Sequence, residues 1–265
     1  MNEAAAAVAG AGRTSQSYRH LVVQLALKDF KIRYTHSVLG YTWSVLNPLI
    51  FSIVYFLVFS VFVRFDIPNY PGYLLLGIVL WNFFAESTSH GVGSLLAQGG
   101  IITKVAIPRQ VIVLAAVLNA LLTFAISLAI LGTLLFVTGV PMGWPLVSLP
   151  LLLLDLIVLA LGLSLLLSPL HVRFHDVGYL WSVALQLGFW LTPIIYTDTM
   201  IPERWRWLIV YNPLARIILY SRQVVIYAQW PDWVGVTKTT VLALAVLVVG
   251  WLSFRRLQVR LVEHF

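Results

Sequence analysis

The chain has 265 residues, of which 60% are hydrophobic and 10% are charged, and its mean hydropathy is +0.91. Soluble domains carry nearer a quarter charged residues, so this composition excludes an ordinary soluble protein. The net charge of +7 is better explained by membrane anchoring than by nucleic acid binding, because the cations lie at the ends of apolar segments.

The first seventeen residues are small and weakly apolar, and they predict a flexible cytoplasmic tail. A cleaved signal would place basic residues ahead of its apolar core, whereas here Arg13 follows the alanines. The remainder, residues 18–265, is expected to form a single transmembrane domain.

Residues 18–34 carry the pattern of an amphipathic helix. Val23, Leu27, Phe30 and Tyr34 follow the spacing of one helical face, with polar and basic residues beside it. This pattern favours an interfacial helix that lies along the membrane surface before the first span. The alternative is a basic flank of that span.

Six apolar segments predict transmembrane helices, because the bilayer core of ~30 Å requires long uncharged runs. They occupy residues 39–63, 73–89, 111–137, 146–167, 178–195 and 239–254, and Pro48 is expected to kink the first. With both termini cytoplasmic, eleven Lys and Arg residues lie inside and six outside. The positive-inside rule favours this orientation.

The polar segment between the fifth and sixth spans predicts a re-entrant hairpin. Asn212 followed by Pro213 is typical of a helix start. We expect two short amphipathic helices within residues 200–227 that dip into the outer half of the membrane. Re-entrant backbone is tolerated only against protein or a water-filled cavity, so the hairpin is expected at the mouth of a pathway.

Motifs for catalysis are absent from the sequence. There is no GxxxxGK[ST] loop, so the chain is expected to have no ATPase activity of its own, and no HExxH or nucleophile-elbow pattern occurs. The sequence also has no cysteines. His171 and His175 are four residues apart, but without a third ligand an ordinary polar loop is favoured over a metal site.

Two ionisable residues, Glu86 and Asp155, fall within predicted spans. Such residues are candidates for function, because a lipid-facing charge is costly. The alternative is a carboxyl that aids helix packing; for Asp155 both interpretations stay open, and for Glu86, near a span end, packing is favoured. No membrane-embedded acid–base series is present, which argues weakly against a proton-driven carrier.

Aromatic residues make up 13% of the chain and several lie within spans. Their ring faces could stack on the C–H faces of a passing sugar. From composition alone, lipid-facing bulk and interfacial belts are the favoured interpretation.

Five motifs give the chain a family resemblance. In order they are IRYTHSVLGYTWSVLNPL, ITKVAIPRQ, HVRFHDV, LTPIIY and NPLARII, the last followed by Arg222. Their order and spacing around six spans resemble the permease subunits of ABC-superfamily exporters of lipid-linked polysaccharides, the O-antigen, capsule and teichoic acid group. The chain departs from the family at Gln110, often acidic there, and at His175, often Arg.

The resemblance implies a homodimer with two copies of a separate ATPase, which carries the ATP and Mg; this chain is then no enzyme and needs no cofactor. The implied function is export of a polyprenyl-diphosphate-linked, O-antigen-like polysaccharide across the cytoplasmic (inner) membrane. Alternatives are a teichoic acid or capsule polymer, or a small lipid or drug. A further alternative is an anchor that tethers an ATPase or a glycan-synthesis complex without transport.

The resemblance also implies four groups of functional residues. An aromatic channel formed by the first and fifth spans would include Tyr41, Trp43, Tyr55, Phe59 and Trp190. The lipid diphosphate would meet Lys31, Arg33 and Arg173, for which headgroup anchoring is the alternative. ATPase coupling would involve Leu95, Gln98, Lys104 and Arg109. The outer gate would involve Arg204, Trp207, Arg216 and Arg222.

Overall fold

The structure, a computed structural model, describes residues 69–102, 108–140 and 143–258, together with a few isolated positions before residue 69. Every regular element in these residues is helical and none is a strand. The prediction of an all-α protein is therefore confirmed for the described part of the chain.

The helices follow one another with short connections. They are α1 (Tyr70–Ala97), α2 (Gly99–Ile102), α3 (Arg109–Val137), α4 (Leu149–Arg173), α5 (Asp176–Leu191), α6 (Trp207–Val210), α7 (Pro213–Val225) and α8 (Trp233–Leu257). A 3₁₀ turn, Trp144–Ser148, leads into α4. Gly139, with a φ of 69°, turns the chain after α3 in a conformation that favours glycine.

Helices α1 and α4 form the centre of the bundle. Helix α1 packs against α3 and α4, and α4 packs against α8. Glycine allows the close approach of α4 and α8, because a Cβ on Gly250 would clash with the carbonyl oxygen of Gly162. Small residues at such contacts are typical of helices that associate within a membrane.

Three of the described helical segments are long and apolar enough to cross a membrane: Arg109–Val137, Trp144–Arg173 and Trp233–Leu257. They correspond to the predicted third, fourth and sixth spans. By length and composition, the chain is an integral membrane protein.

The structure moves several predicted boundaries. Helix α1 continues to Ala97, beyond the predicted end of the second span at residue 89, because Leu95 is buried beside Ile112 and Phe254. The predicted loop after the fourth span is also partly helical, since α4 continues through Pro169 to Arg173. The predicted fifth span extended to residue 195, whereas α5 ends at Leu191.

The tail, most of the predicted interfacial helix and most of the first span lie outside the described residues. Val22 is described as helical and buried, and it packs beside Val111 and Ala115 at the start of α3. This contact joins the N-terminal region to the beginning of the third predicted span.

Candidate functional site

The end of α5 is set by the sequence LTPIIY. Thr192 has extended backbone angles (φ −91°, ψ 135°), as expected for a residue before proline, and Pro193 cannot continue the helical hydrogen bonding. The carbonyl oxygens of residues 193–196 therefore have no helical donors. Because residues 192–195 are buried, these oxygens need other partners.

Arg222 on α7 supplies two of those donors. Its Nη1 donates to the carbonyl oxygen of Pro193, and its Nη2 donates to that of Ile194 at 2.6 Å. The same guanidinium donates to the backbone oxygen of Tyr73 at 3.3 Å and to its phenol oxygen at 2.7 Å. One buried side chain, 1% exposed, thus joins α7, α1 and the turn after α5.

Two tyrosines of α1 bind the rest of the turn. The hydroxyl of Tyr70 donates to the carbonyl oxygen of Ile195 at 3.1 Å, and that of Tyr73 donates to Tyr196 at 3.0 Å. Four consecutive carbonyl oxygens are then bound by three side chains from distant parts of the chain. We call Arg222, Tyr70 and Tyr73 the Arg222 clamp.

The Arg222 clamp surrounds a buried cation with neutral partners. Among the described residues, no carboxylate lies within ion-pair distance of Arg222. Its close partners are carbonyl oxygens, a phenol oxygen and the Tyr73 ring, and Asp198 acts on it from a longer distance. Arginine remains protonated in proteins, and burial of its charge demands such partners. Gly77 provides the space, because a Cβ there would meet Nη2 at 2.5 Å.

Aromatic contacts attach α5 to α1. The Trp181 indole Nε1 donates to Thr88 Oγ1 at 3.1 Å, and the rings of Trp81 and Phe189 meet edge-on with centroids 5.7 Å apart. The opposite face of α5 is exposed in the single chain. None of the sixteen residues of α5 is fully buried. Tyr179 is 78% exposed and Trp190 is 60% exposed.

Trp190 lies on the last turn of α5. Its backbone oxygen accepts a hydrogen bond from the Tyr196 hydroxyl at 2.7 Å. Burial raises the pKa of Tyr196, so this phenol keeps its proton at neutral pH and remains a donor. The clamped turn therefore also positions the backbone of the one predicted channel residue within the described region.

The predicted outer hairpin is helical only in part. Asn212 caps α7 as predicted, since its Oδ1 accepts from the backbone nitrogens of Leu214 at 3.0 Å and Ala215 at 3.3 Å. The first predicted helix is instead a 3₁₀ turn, Glu203–Trp205, followed by the four-residue α6. Its alternating polar and aromatic residues are largely exposed and bury too little to stabilise a longer helix.

The four predicted gate residues lie in different surroundings. Arg222 belongs to the clamp, and Arg216 donates to the Tyr220 hydroxyl at 2.8 Å. Arg204 and Trp207 are exposed, and the Arg204 guanidinium lies 5.9 Å from the Trp205 ring. Their role in gating stays a prediction.

The coupling and entrance residues that the structure describes lie at or near the other ends of the helices. Leu95 is 0% exposed within a core cluster, and Gln98 is partly exposed just after α1. Arg109 donates to the backbone oxygen of Gln258, which connects the start of α3 to the end of α8. Arg173 is exposed at the end of α4, 5.1 Å from the Phe174 ring.

The other predicted site residues lie outside the described part of the chain, and their roles stay predictions. They are Lys31, Arg33, Tyr41, Trp43, Tyr55, Phe59 and Lys104.

Asp155 is a buried packing partner in this structure. It is 3% exposed on α4, and its Oδ2 accepts from the Thr240 hydroxyl on α8 at 2.8 Å. His171 accepts at Nδ1 from the backbone of Gly178 at 3.2 Å, and no group of three potential ligands for a metal occurs among the described residues. Glu86 is partly exposed on α1.

In the sequence, Tyr70, Tyr73 and Gly77 carry no functional signal. The resemblance places Arg222 in the gate, and LTPIIY contributes only to the resemblance. One sequence signal could have connected Arg222 with LTPIIY. The proline of LTPIIY ends a helix and leaves the following carbonyl oxygens without helical donors, and the next amphipathic helix carries an arginine that can donate to them.

Comparison with known proteins identifies the family. The ABC-2 type transporter family matches residues 20–226, which is most of the chain. The chain belongs to the ABC-2 type transporter family. As a member, this chain is the transmembrane transport subunit, and ATP hydrolysis resides on a separate partner subunit. The resemblance to permeases of polysaccharide exporters is confirmed.

Individual relatives of this ABC-2 transporter chain are similar over most of their length. An O-antigen export system permease protein of Klebsiella pneumoniae is 35% identical over 92% of this chain and 94% of its own. One from Myxococcus xanthus is 32% identical over 83% of this chain and 85% of its own. A polysialic acid transport protein of Escherichia coli is 22% identical over 88% of this chain and 92% of its own length.

Proposed function

We propose that this chain is the membrane half of an exporter that moves a polyprenyl-diphosphate-linked polysaccharide of O-antigen type across the cytoplasmic membrane. The observation that carries the proposal is the similarity to O-antigen export permeases, 35% identity over 92% of the chain. The more distant polysialic acid transport relative makes a capsule polymer the second candidate.

In this proposal two copies of the chain form six-span subunits with both termini in the cytoplasm. Two copies of the ATPase bind beneath them and hold the ATP and Mg. The open face of α5 supports the pairing, because a helix with no buried residue in the single chain requires lipid, a partner helix or a pathway beside it. An aromatic channel between the copies accounts for both Trp190 and the aromatic first span.

The Arg222 clamp fits this role as a fixed point. A helix that lines a pathway for a long polymer must hold its position while substrate passes. The clamp fixes the end of α5 to α1 and α7 through buried hydrogen bonds, which stabilise more strongly in low dielectric than at the surface.

Deletion of the gene in its native host, with plasmid complementation, tests the proposal. Fractionation and mass spectrometry would then locate the surface polymer. We expect polyprenyl-linked glycan to accumulate inside the cell while the surface loses it, and complementation to restore it. Unchanged surface polymers would refute the polysaccharide assignment and favour export of a small lipid or drug.

A further inference from the structure

An apolar groove of about 530 Å³ lies between α3, α4 and α8. Helix α8 packs closely on α4, and α3 packs mainly on α1, so α3 and α8 form two walls with α4 as the floor. Leu165 on the floor is buried, while Leu114 and Val248 on the walls are 42% and 56% exposed. Because all three helices belong to spanning segments, the groove faces the membrane and not water.

The two ends of the groove differ in polarity. Gln110 and Trp251 lie at the end that the predicted topology places in the cytoplasm, and aliphatic side chains line the remainder. Trp251 is 39% exposed, and its indole Nε1 makes no hydrogen bond to the described residues. Tryptophan with one polar edge is typical of the level of the lipid headgroups, where that edge can find an acceptor.

Two arginines continue the α8 wall toward the cytoplasm. Arg255 and Arg256 lie four residues after Trp251 and Leu252, so they occupy the same face one turn further on. Both are exposed, and neither side chain forms an ion pair or a hydrogen bond with the described residues. Their charges are therefore available to an anionic group at this end of the groove.

Arg109 joins the two walls at the same end. Its guanidinium donates to the backbone oxygen of Gln258, which follows α8. Since that guanidinium is already hydrogen-bonded, it adds positive charge to the site more than a free donor. None of the described residues that line the groove is acidic. The cytoplasmic end of the groove is thus positively charged, and the remainder is apolar.

We infer that this groove binds an anionic phospholipid of the cytoplasmic leaflet. An acyl chain would lie between the aliphatic walls, and the headgroup phosphate would meet Arg255 and Arg256. Basic sites between transmembrane helices on the cytoplasmic side are typical of anionic headgroup binding. A zwitterionic headgroup fits less well, because its own cation would lie near the arginines.

The groove is separate from the proposed pathway. Its lining comes from α3, α4 and α8, whereas the exposed face that the proposed function assigns to a channel between two copies belongs to α5. The lipid site therefore does not depend on which polymer the protein exports. A bound phospholipid would fill the space between α3 and α8 close to the predicted ATPase contact.

A pair of double variants tests the charges. Arg255→Gln with Arg256→Gln removes the two free cations beside the groove. Arg204→Gln with Arg206→Gln is the control, because it removes two exposed arginines from the side that the predicted topology places outside the cytoplasm. The two variants change the net charge equally, so a general electrostatic effect would appear in both.

A second pair of variants tests the acyl-chain part. Val248→Trp places a large ring in the groove, and Val249→Trp places the same ring on a neighbour that does not line it. Both positions are on α8 and more than half exposed, at 56% and 53%, so both variants are expected to fold.

The experiment is native mass spectrometry of the full-length permease with its ATPase, freed of lipid in detergent. The complex is titrated with phosphatidylglycerol and, separately, with phosphatidylcholine of the same acyl chains. We expect the wild type to prefer phosphatidylglycerol. Loss of Arg255 and Arg256 should weaken phosphatidylglycerol binding roughly ten- to thirtyfold, because each arginine near an anionic headgroup contributes about fivefold. Val248→Trp should weaken binding of both lipids, and the two controls should bind as the wild type does.

Equal phosphatidylglycerol affinity of the Arg255 and Arg256 variant and the wild type would overturn the inference, as would an equal loss in the outer control. Tighter binding of polyprenyl diphosphate than of phosphatidylglycerol would assign the groove to a different lipid. The same spectra report subunit composition. If Val248→Trp releases a second copy or the ATPase while phosphatidylglycerol binding is unchanged, the groove is a protein contact and the lipid site is refuted.

Discussion

The guanidinium carbon of Arg222 lies 3.5 Å from the centroid of the Tyr73 ring, although the two residues are 149 positions apart. The contact joins α7 to α1, and hydrogen bonds from both residues continue to the turn that ends α5. Three segments therefore depend on one buried cation. Loss of one member of such a network leaves the other polar groups unpaired.

Replacement of Arg222 is expected to be the most destabilising single change in the clamp. Arg222→Gln leaves the carbonyl oxygens of Pro193 and Ile194 without their donors, and we expect a loss of about 3 kcal/mol or more in the free energy of unfolding. Arg222→Lys should rescue little, because an ammonium lacks the planar fork. Thermal unfolding of the purified complex, followed by size-exclusion chromatography, measures both.

Arg216→Gln is the control for Arg222, since Arg216 lies on the same helix and donates to one phenol. It is expected to change the free energy of unfolding by about 1 kcal/mol or less. Equal stability of Arg222→Gln and Arg216→Gln would contradict the clamp.

A substitution at Gly77 tests the clamp by filling the space that the Arg222 guanidinium occupies. A methyl group there would meet Nη2 of Arg222 at 2.5 Å and the carbonyl oxygen of Ile194 at 3.3 Å, so Gly77→Ala should displace the guanidinium and cost about 1–3 kcal/mol. Gly132→Ala on α3 is the control, because its added Cβ would have no atom within 4 Å beyond the adjoining backbone of its own helix. That control should be neutral or slightly stabilising. Similar melting temperatures for the two variants would show that Gly77 has no packing role.

Variants of Trp190 and Trp181 distinguish a role of α5 in the export pathway from a role in helix packing. Trp190 is 60% exposed, so Trp190→Ala should slow export and change stability by no more than about 0.5 kcal/mol. Trp181→Ala should destabilise by about 3 kcal/mol, because it removes the hydrogen bond to Thr88 and the contact with Phe84. Polymer appearance at the cell surface and thermal unfolding are measured in parallel. Wild-type export by Trp190→Ala would remove it from the proposed channel.

Asp155 is expected to act in packing and not in proton transfer. Its described hydrogen bond comes from Thr240, and Asp155→Asn can still accept that bond through its amide oxygen. We therefore expect export within about twofold of wild type, a change of ~0.4 kcal/mol in the barrier. Asp155→Leu, which cannot accept the bond, should lower the melting temperature. Loss of export in a stable Asp155→Asn protein would instead support a functional carboxylate.

The ATPase contact is best tested at Lys104 alone. Arg109 donates to the backbone of Gln258, so reversal of its charge would also disturb the end of α8. Lys104→Glu is expected to weaken co-purification of the ATPase at least threefold, through like-charge repulsion or a lost ion pair. Lys238→Glu is the control, because Lys238 lies on the predicted outer side. An unchanged ATPase yield with Lys104→Glu would argue against a role of Lys104 in ATPase coupling.

The sequence predicted what depends on local pattern. The helical class, three of the spans and the Asn212 cap follow from apolar runs and from an Asn-Pro pair, and the structure has them. The position where α5 ends and the extension of α1 to Ala97 could not be predicted from local pattern. The extension of α1 depends on a buried place for Leu95, and the turn after α5 depends on donors more than a hundred residues away.

The candidate site was predictable only in its separate pieces. The resemblance assigns Arg222 to the outer gate, but Tyr70 and Tyr73 have the pattern of ordinary apolar helix residues. No local signal indicates that their hydroxyls reach Ile195 and Tyr196. The predicted gate likewise assumed that four residues of one hairpin share a role. Tertiary packing places Arg222 in the buried clamp, Arg216 beside Tyr220 on α7, and Arg204 and Trp207 in an exposed segment, and their shared role stays a prediction.

Transport itself is the most direct test of the central claim. Inverted membrane vesicles that contain the permease and its ATPase would be loaded on their outer face with radiolabelled polyprenyl-diphosphate-linked glycan from the deletion strain. We predict ATP-dependent protection of the label inside the vesicles, which disappears when the ATPase is inactivated. Label that stays fully accessible with ATP, in vesicles that contain the intact complex, would contradict the account.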